Sequence, residues 1–140
     1  AAEAEAYIDI RWEHEEHKDR LIGNVESIVG RQALAGCHSE FEVLNWRPSM
    51  PYTGRNQELI EIIQSTACEI GQQVPTQHRR GSSDANYFGS AGVPTVDGLG
   101  PVSQWDHTID EYIETSSLHD RTRLLASVLL GIGERSGMAG

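Results

Sequence analysis

The stretch from Arg80 to Ile113 constrains this chain most, because few of its residues can form a continuous hydrophobic face. It begins Arg-Gly-Ser-Ser-Asp-Ala-Asn-Tyr-Phe, continues through Ala-Gly-Val-Pro-Thr-Val-Asp-Gly-Leu-Gly-Pro, and ends Asp-His-Thr-Ile-Asp-Glu-Tyr-Ile. Its glycines and prolines fix turns, and hydroxyls, carboxylates and one histidine stand among them. Loops on a rigid scaffold tend to carry function. We therefore predict that this stretch forms one wall of an active site.

His107 is the candidate metal ligand of this stretch. Asp106 and Thr108 flank it, and Asp110 and Glu111 follow closely. A neutral imidazole ligates zinc well when its second nitrogen donates to a carboxylate or carbonyl oxygen. A loop histidine that caps a turn explains the same spacing, and local sequence alone favours that simpler interpretation.

Gly81-Ser82-Ser83-Asp84 precedes a short predicted helix and is a candidate anion-binding loop. Backbone N–H groups at a helix start can bind a carboxylate or phosphate, and two hydroxyls stand beside them. An ordinary helix cap explains the same residues equally well. A serine nucleophile is less favoured, since the G-x-S-x-G pattern is absent.

Arg11 is a candidate carboxylate clamp near the end of a predicted strand. It lies on the face opposite Ile8 and Ile10, and a guanidinium there can bind a substrate carboxylate through two parallel hydrogen bonds. The usual alternative is a solvated arginine that pairs with Asp9 or Glu13.

Hydrophobic periodicity predicts alternating strands and helices, and hence an α/β (α+β) fold. The predicted strands cover residues 4–12, 41–46, 74–79 and 93–96, and the predicted helices cover 18–34, 57–71, 85–91 and a final helix from Ser116 or Ser117. The first helix is expected to pack on a sheet, and residues 133–140 are expected to form a frayed tail. The proline-rich turn at 47–52 divides a first domain, residues 1–50, from a second, residues 51–140.

Composition narrows the function class. The formal net charge of −10 argues against a nucleic-acid binder and against an anionic membrane surface. No apolar run approaches the roughly 20 residues that span a bilayer, and the acidic start is not a secretory signal. Cys37 and Cys68 lack a CxxC pattern, so we expect buried, reduced thiols in a cytoplasmic protein.

Five blocks, in order along the chain, resemble the C-terminal part of a family of zinc amidohydrolases and peptidases. The blocks are Asp9-Ile10-Arg11, Arg47-Pro48, Gly81-Ser82-Ser83-Asp84-Ala85-Asn86, Gly92-Val93-Pro94-Thr95 with Asp97-Gly98-Leu99-Gly100, and His107-Thr108 with Asp110-Glu111-Tyr112. The family includes acetylornithine deacetylase, succinyl-diaminopimelate desuccinylase, aminoacylase and bacterial glutamate carboxypeptidase. The resemblance implies part of an α/β catalytic domain in residues 51–140 and part of a ferredoxin-like lid or dimerisation domain in residues 1–50.

The resemblance also implies roles for single residues. His107 matches a ligand of one of the family's two zinc ions, for which cobalt or manganese can substitute. Arg11 matches the lid arginine that holds a substrate carboxylate, and Gly81 and Ser82 match the loop that lines the substrate pocket. The implied reaction is hydrolysis of an amide or peptide bond in N-acyl amino acids or small peptides. A metal-activated water is the nucleophile, and a glutamate is the base.

The family's other metal ligands and its catalytic base have no counterpart in this chain. Catalytic zinc needs about three protein ligands, so His107 alone cannot hold it. We therefore expect the C-terminal portion of a longer or split enzyme, inactive alone, that forms a homodimer or associates with the missing N-terminal part. One alternative is a non-catalytic dimerisation or binding module. Another is a small metal binder that uses His14, His17 and His107.

Overall fold

The computed structural model describes residues 2–31 and 34–137, which divide into two compact units. The first unit contains the residues up to Pro51 together with Arg79–Val93, and the second contains Tyr52–His78 together with the residues from Pro94 onward. The elements, in chain order, are α1 (Glu16–Val29), α2 (Gly54–Glu69), α3 (Ala85–Ser90), β1 (Ser103–Gln104), β2 (Tyr112–Ile113) and α4 (Thr115–Gly137). The mixture of helices with a small antiparallel sheet confirms the α/β class. The predicted domains, residues 1–50 and 51–140, stay a prediction.

The second unit is built on the packing of α2 against α4. Its buried core consists of Ile63 and Ala67 from α2 with Leu124 and Val128 from α4. Each pair is four residues apart and therefore lies on one face of its helix. Half-buried side chains surround this core, namely Leu59, Ile70, Val74, Val96, Leu99 and Ile132.

Local sequence sets both ends of α2. Thr53 is the N-cap: its hydroxyl accepts from the backbone N–H of Asn56 at 3.3 Å, and the Asn56 carboxamide oxygen accepts from the Thr53 N–H at 3.2 Å. This reciprocal pair satisfies two backbone donors that have no partner within the helix. At the other end Gly71 adopts a left-handed φ of 76°. The predicted stop at Gly71 is confirmed, because only glycine takes that conformation without steric cost.

The strands predicted at 4–12, 41–46, 74–79 and 93–96 are wrong. None of these residues belongs to a hydrogen-bonded ladder, and the described part of the chain forms its sheet from β1 and β2 alone. Alternation predicts which face a strand would bury, but a strand also needs a neighbour that completes its backbone hydrogen bonds. Local sequence does not supply that neighbour.

The first unit differs from the prediction at α1. The helix ends at Val29 rather than near residue 34, although residues 32 and 33 lie outside the described part of the chain. No residue of α1 is buried, so its predicted packing on a sheet is wrong. Residues 2–12 and 37–47 form no sheet, so α1 has no sheet face against which its apolar side chains could pack.

The cysteines and the final helix give two further corrections. Cys37 and Cys68 are exposed rather than buried, and neither forms a disulfide with a described residue. The last helix continues to Gly137, where a frayed tail was predicted from Gly133; residues 138–140 lie outside the described range. None of the described helices is long and apolar enough to cross a membrane.

Candidate functional site

Arg11 lies in the first unit, and its guanidinium is held on two sides. Nε and Nη2 both donate to Oδ2 of Asp9, at 3.1 and 2.8 Å, and Nη1 donates to the backbone carbonyl of Arg80 at 3.1 Å. The hydrogen bond and charge of Asp9 raise the pKa of Arg11 above its ordinary value, so the guanidinium stays positively charged. The predicted alternative, a pair with Asp9, is therefore present in the structure.

The contact with Arg80 brings two predicted site elements together. Arg80 directly precedes Gly81 and Ser82, the predicted pocket-lining residues, although it lies 69 positions from Arg11 in the sequence. A Cβ placed on Gly81 would meet no atom within 4 Å, so the backbone there borders open space. Arg11, Gly81 and Ser82 are thus neighbours on one exposed surface of the first unit.

The two serines of this loop have different partners. The Ser83 hydroxyl accepts from the Ala85 N–H at 3.2 Å, and the Ser83 N–H donates to the side-chain oxygen of Asn86 at 3.0 Å. These bonds fix the start of α3, as the capping alternative predicts. No described residue hydrogen bonds to the Ser82 hydroxyl, and Ser82 is exposed. Capping therefore explains Ser83, while the Ser82 hydroxyl stays available to a ligand.

Asn86 fixes this loop to the segment that follows residue 46. Its carboxamide nitrogen donates to the carbonyl oxygen of Pro48 at 2.8 Å. Arg47 lies 3.4 Å from the Asp84 carboxylate and stacks over the Tyr87 ring at 5.6 Å. The Arg47-Pro48 and Gly81–Asn86 blocks of the sequence are therefore in contact within the first unit.

His107 lies in the second unit, at the tip of the β1–β2 hairpin. Ser103 pairs with Ile113 and Gln104 with Tyr112, so residues 105–111 form the connecting loop. The Ser117 hydroxyl accepts from the Val102 N–H at 2.8 Å and donates to the Glu114 carbonyl at 2.6 Å. Ser117 is only 8% exposed, and it anchors the base of the hairpin to the first turn of α4.

The loop backbone around His107 is strained. Trp105 and His107 have φ values of 62° and 68°, in the left-handed region that bulky residues rarely adopt. The Glu111 carboxylate accepts from the His107 backbone N–H at 3.2 Å, and the Trp105 carbonyl accepts from the Thr108 hydroxyl at 2.8 Å. Such strain is typical of functional loops, because the surrounding contacts must hold it in place.

The His107 imidazole itself is exposed and accepts no hydrogen bond from any described residue. The expected carboxylate partner on its second nitrogen is not formed: Asp106 accepts from the Ser103 hydroxyl instead, at 3.1 Å. No described residue therefore occupies the ring, and the unprotonated nitrogen of the neutral imidazole can bind a metal ion.

The described residues do not form a complete metal site. Among residues 2–31 and 34–137, no group of three or more His, Cys, Asp or Glu side chains is placed to hold a metal. Structural zinc sites have four protein ligands, and catalytic sites have about three. His14 and His17 make an edge-to-face ring contact at 5.4 Å, and the described part of the chain does not build them into a larger ligand group.

A separate groove of about 530 Å3 lies in the first unit, lined by Glu15, Trp46, Pro48, Tyr87 and Ser90. Oε2 of Glu15 accepts from the Trp12 indole at 3.2 Å and from the Ser49 N–H at 3.0 Å. Desolvation acts to raise the pKa of Glu15. The Ser49 and Trp12 hydrogen bonds and the charge of Lys18 outweigh it, so the pKa is lowered.

The sequence predicted Asp9 only as a possible ion-pair partner of Arg11, and Ser117 only as a possible start of the final helix. It did not predict the contact that Glu15 makes with Ser49. Asp9 had a detectable signal, since it lies two residues from Arg11 and points to the same side of an extended chain. Glu15 and Ser117 act through contacts 34 and 15 positions away, which the local pattern does not show.

Comparison with known proteins gives one result that spans the chain. The family model described as Peptidase family M20/M25/M40 matches residues 3–131. No curated protein and no solved structure matches the chain. The family match extends across both units and includes Arg11, Gly81, Ser82 and His107.

Proposed function

The chain belongs to peptidase family M20/M25/M40, and from this membership we propose that it supplies a metal ligand and a carboxylate-binding arginine to a hydrolase of amide or peptide bonds. The proposed substrates are N-acyl amino acids or small peptides with a free carboxylate, as for a deacylase or carboxypeptidase. The family match over residues 3–131 carries the proposal. It does not single out the deacetylase, desuccinylase, aminoacylase or carboxypeptidase members.

Arg11 is the proposed binding group for the substrate carboxylate. Its side chain is 61% exposed and positively charged, and the contact with the Arg80 carbonyl supports a position beside Gly81 and Ser82. Ser82 adds an exposed hydroxyl that can donate to a substrate oxygen. These residues would bind and orient the substrate.

His107 is the proposed metal ligand. Its exposed imidazole on an anchored, strained hairpin supports this role, since a ligand held in place loses little freedom on binding the ion. The proposed ions are two zinc ions, with cobalt or manganese as substitutes, and the remaining ligands and the base come from residues outside this sequence. When bound, zinc supplies a Lewis acid that polarises the scissile carbonyl.

The proposed setting is a cytoplasmic homodimer, or an association of this chain with the remaining part of the enzyme. A nucleic-acid or membrane partner is not part of the proposal, because a net charge of −10 repels phosphate groups.

The test is hydrolysis by the complete enzyme that contains this sequence, before and after metal removal. We expect the enzyme to cleave N-acyl amino acids. A chelator should abolish this activity, and added zinc, cobalt or manganese should restore it. No hydrolysis of acyl amino acids or small peptides by the metal-loaded protein would contradict the proposal.

A non-catalytic dimerisation or binding module is the second candidate. It is favoured by the finding that the described residues offer His107 without a further ligand group. A complete protein that binds carboxylate ligands and dimerises, but takes up no metal and hydrolyses nothing, would establish it.

A further inference from the structure

The hydrogen bonds of Arg11 leave a defined part of its guanidinium unused. A guanidinium carries five N–H donors in a fixed plane. Asp9 takes the Nε donor and one Nη2 donor, and the Arg80 carbonyl takes one Nη1 donor. Two donors therefore remain, one on each terminal nitrogen. A carboxylate needs two donors for a bidentate contact.

The partners of Arg11 also limit how its side chain can move. An arginine side chain otherwise samples many rotamers, and ordering it costs conformational entropy. Asp9 holds the guanidinium from its own segment, and a backbone carbonyl from a different segment holds it from another side. The guanidinium is thus anchored before a ligand arrives, although 61% of the side chain stays exposed to solvent.

We infer that Asp9 is a positioning residue, which holds Arg11 against the Arg80 carbonyl so that its two remaining terminal donors face a substrate carboxylate. This inference rests on the proposed role of Arg11 and deepens it. Asp9 does not touch the substrate in this arrangement. It acts through Arg11, by orienting the guanidinium.

The bond to the Arg80 carbonyl distinguishes Arg11 from the arginine of an ordinary exposed ion pair. Such pairs contribute little and are easily exchanged for other ions, because water screens both charges. Here both contacts from Arg11 converge on a single oxygen, Oδ2 of Asp9, rather than pairing two donors with two acceptors. Together with the bond from Nη1 to the Arg80 carbonyl, these contacts leave each terminal nitrogen with one donor.

The inference predicts a specific kinetic result in the complete, metal-loaded enzyme. Hydrolysis is compared for an N-acyl amino acid and for the same compound with its carboxylate converted to an amide. We expect Arg11→Ala to raise KM for the acid by roughly 10–100-fold, with much less change for the amide, since a charge-assisted bidentate contact is lost. Asp9→Ala should raise the same KM by about 5–10-fold and leave kcat within about twofold.

Two further variants separate positioning from charge and from folding. Asp9→Asn keeps the size and one oxygen acceptor, so its KM should lie between the wild type and Asp9→Ala. Glu3→Ala is the matched control, because Glu3 is an exposed acid of the same segment with no role in holding Arg11. It should behave as the wild type.

Three results would overturn the inference, and a fourth would contradict the proposed clamp. Wild-type KM values from Asp9→Ala, with a large effect of Arg11→Ala, overturn the inference and leave the proposed function intact. An equal loss in Glu3→Ala and Asp9→Ala overturns it in favour of a general charge effect. Tighter binding of the acid by Asp9→Ala also overturns it, since Asp9 would then be a competitor. An unchanged KM in Arg11→Ala would contradict the proposed clamp itself.

A second readout requires no activity. In the 140-residue chain, the Arg11 side-chain N–H signals are followed by nuclear magnetic resonance during titration with acetate. We expect shifts in the wild type and in Glu3→Ala, and a Kd for acetate about 5–10-fold weaker in Asp9→Ala. Equal acetate binding by Asp9→Ala and the wild type would overturn the inference.

Discussion

The two units of this chain are stabilised by different interactions. The second unit has a buried hydrophobic core, in which Ala67 and Leu124 are completely inaccessible to solvent. The first unit has no buried large hydrophobic residue among those described. It is held by hydrogen bonds to side chains such as Glu15 and Asn86. Arg11, Gly81 and Ser82 belong to the polar unit, and His107 belongs to the unit with the core.

This difference has a consequence for the stability of the two units. Hydrophobic burial is nondirectional and stabilises through the area removed from water. Hydrogen bonds fix positions but contribute only about 0.5–1.5 kcal/mol each. We therefore expect the loss of one core side chain to destabilise the second unit more than the loss of one polar contact destabilises the first.

The largest expected effect comes from the core of the second unit. Leu124→Ala leaves a cavity between α2 and α4 and should lower the free energy of unfolding by about 3 kcal/mol. Urea unfolding of the chain measures it. Leu130→Ala is the matched control on the same helix, since Leu130 is 70% exposed, and it should change stability by less than about 0.5 kcal/mol. Equal effects of the two variants would contradict the assigned core.

A smaller effect is expected from the polar unit. Asn86→Ala removes the acceptor of the Ser83 N–H and the donor to the Pro48 carbonyl, and should cost about 1–2 kcal/mol. Hydrogen exchange at the Ser83 amide measures the loss directly and should become faster. Asn24→Ala on the exposed surface of α1 is the control. An unchanged Ser83 exchange rate in Asn86→Ala would show that the unit is not held as described.

The smallest expected effect is the pH dependence contributed by Glu15. Its folded pKa is lowered from an ordinary value of 4.5, so its contribution is complete above pH 4.5 and is lost as pH falls through the lower folded pKa. Because the carboxylate is mostly exposed, we expect less than about 1 kcal/mol. Unfolding measured between pH 3 and 6, with Glu15→Gln alongside, checks it. A pH profile that is identical in Glu15→Gln would contradict the role of Glu15.

The sequence predicted helices better than strands, for a physical reason. A helix completes its hydrogen bonds locally, so Gly71 and the spacing of Ile63 and Ala67 were sufficient to predict α2 and its end. A strand needs a distant partner, and residues 4–12 find none among the described residues. Conversely, the β1–β2 hairpin was not predicted, because each strand has only two residues.

The same contrast between local sequence and distant contacts applies to the candidate site. Arg11, Gly81, Ser82 and His107, whose roles stay predictions, were proposed as candidates from contiguous sequence blocks. Their anchors were not: Arg80 meets Arg11 through a contact over 69 positions, and Ser117 reaches Val102 over 15. Asp9 was named only as a possible partner, because orientation of the guanidinium depends on the second contact.

The metal content of the complete enzyme tests the central claim most directly. Zinc is measured by elemental analysis in the wild type, in His107→Ala, and in His119→Ala, which removes an exposed histidine from α4 as a control. The account predicts that His107→Ala loses zinc from one of the two proposed sites and loses hydrolytic activity, while His119→Ala retains both ions and its activity. Full zinc occupancy and wild-type hydrolysis in His107→Ala would contradict it.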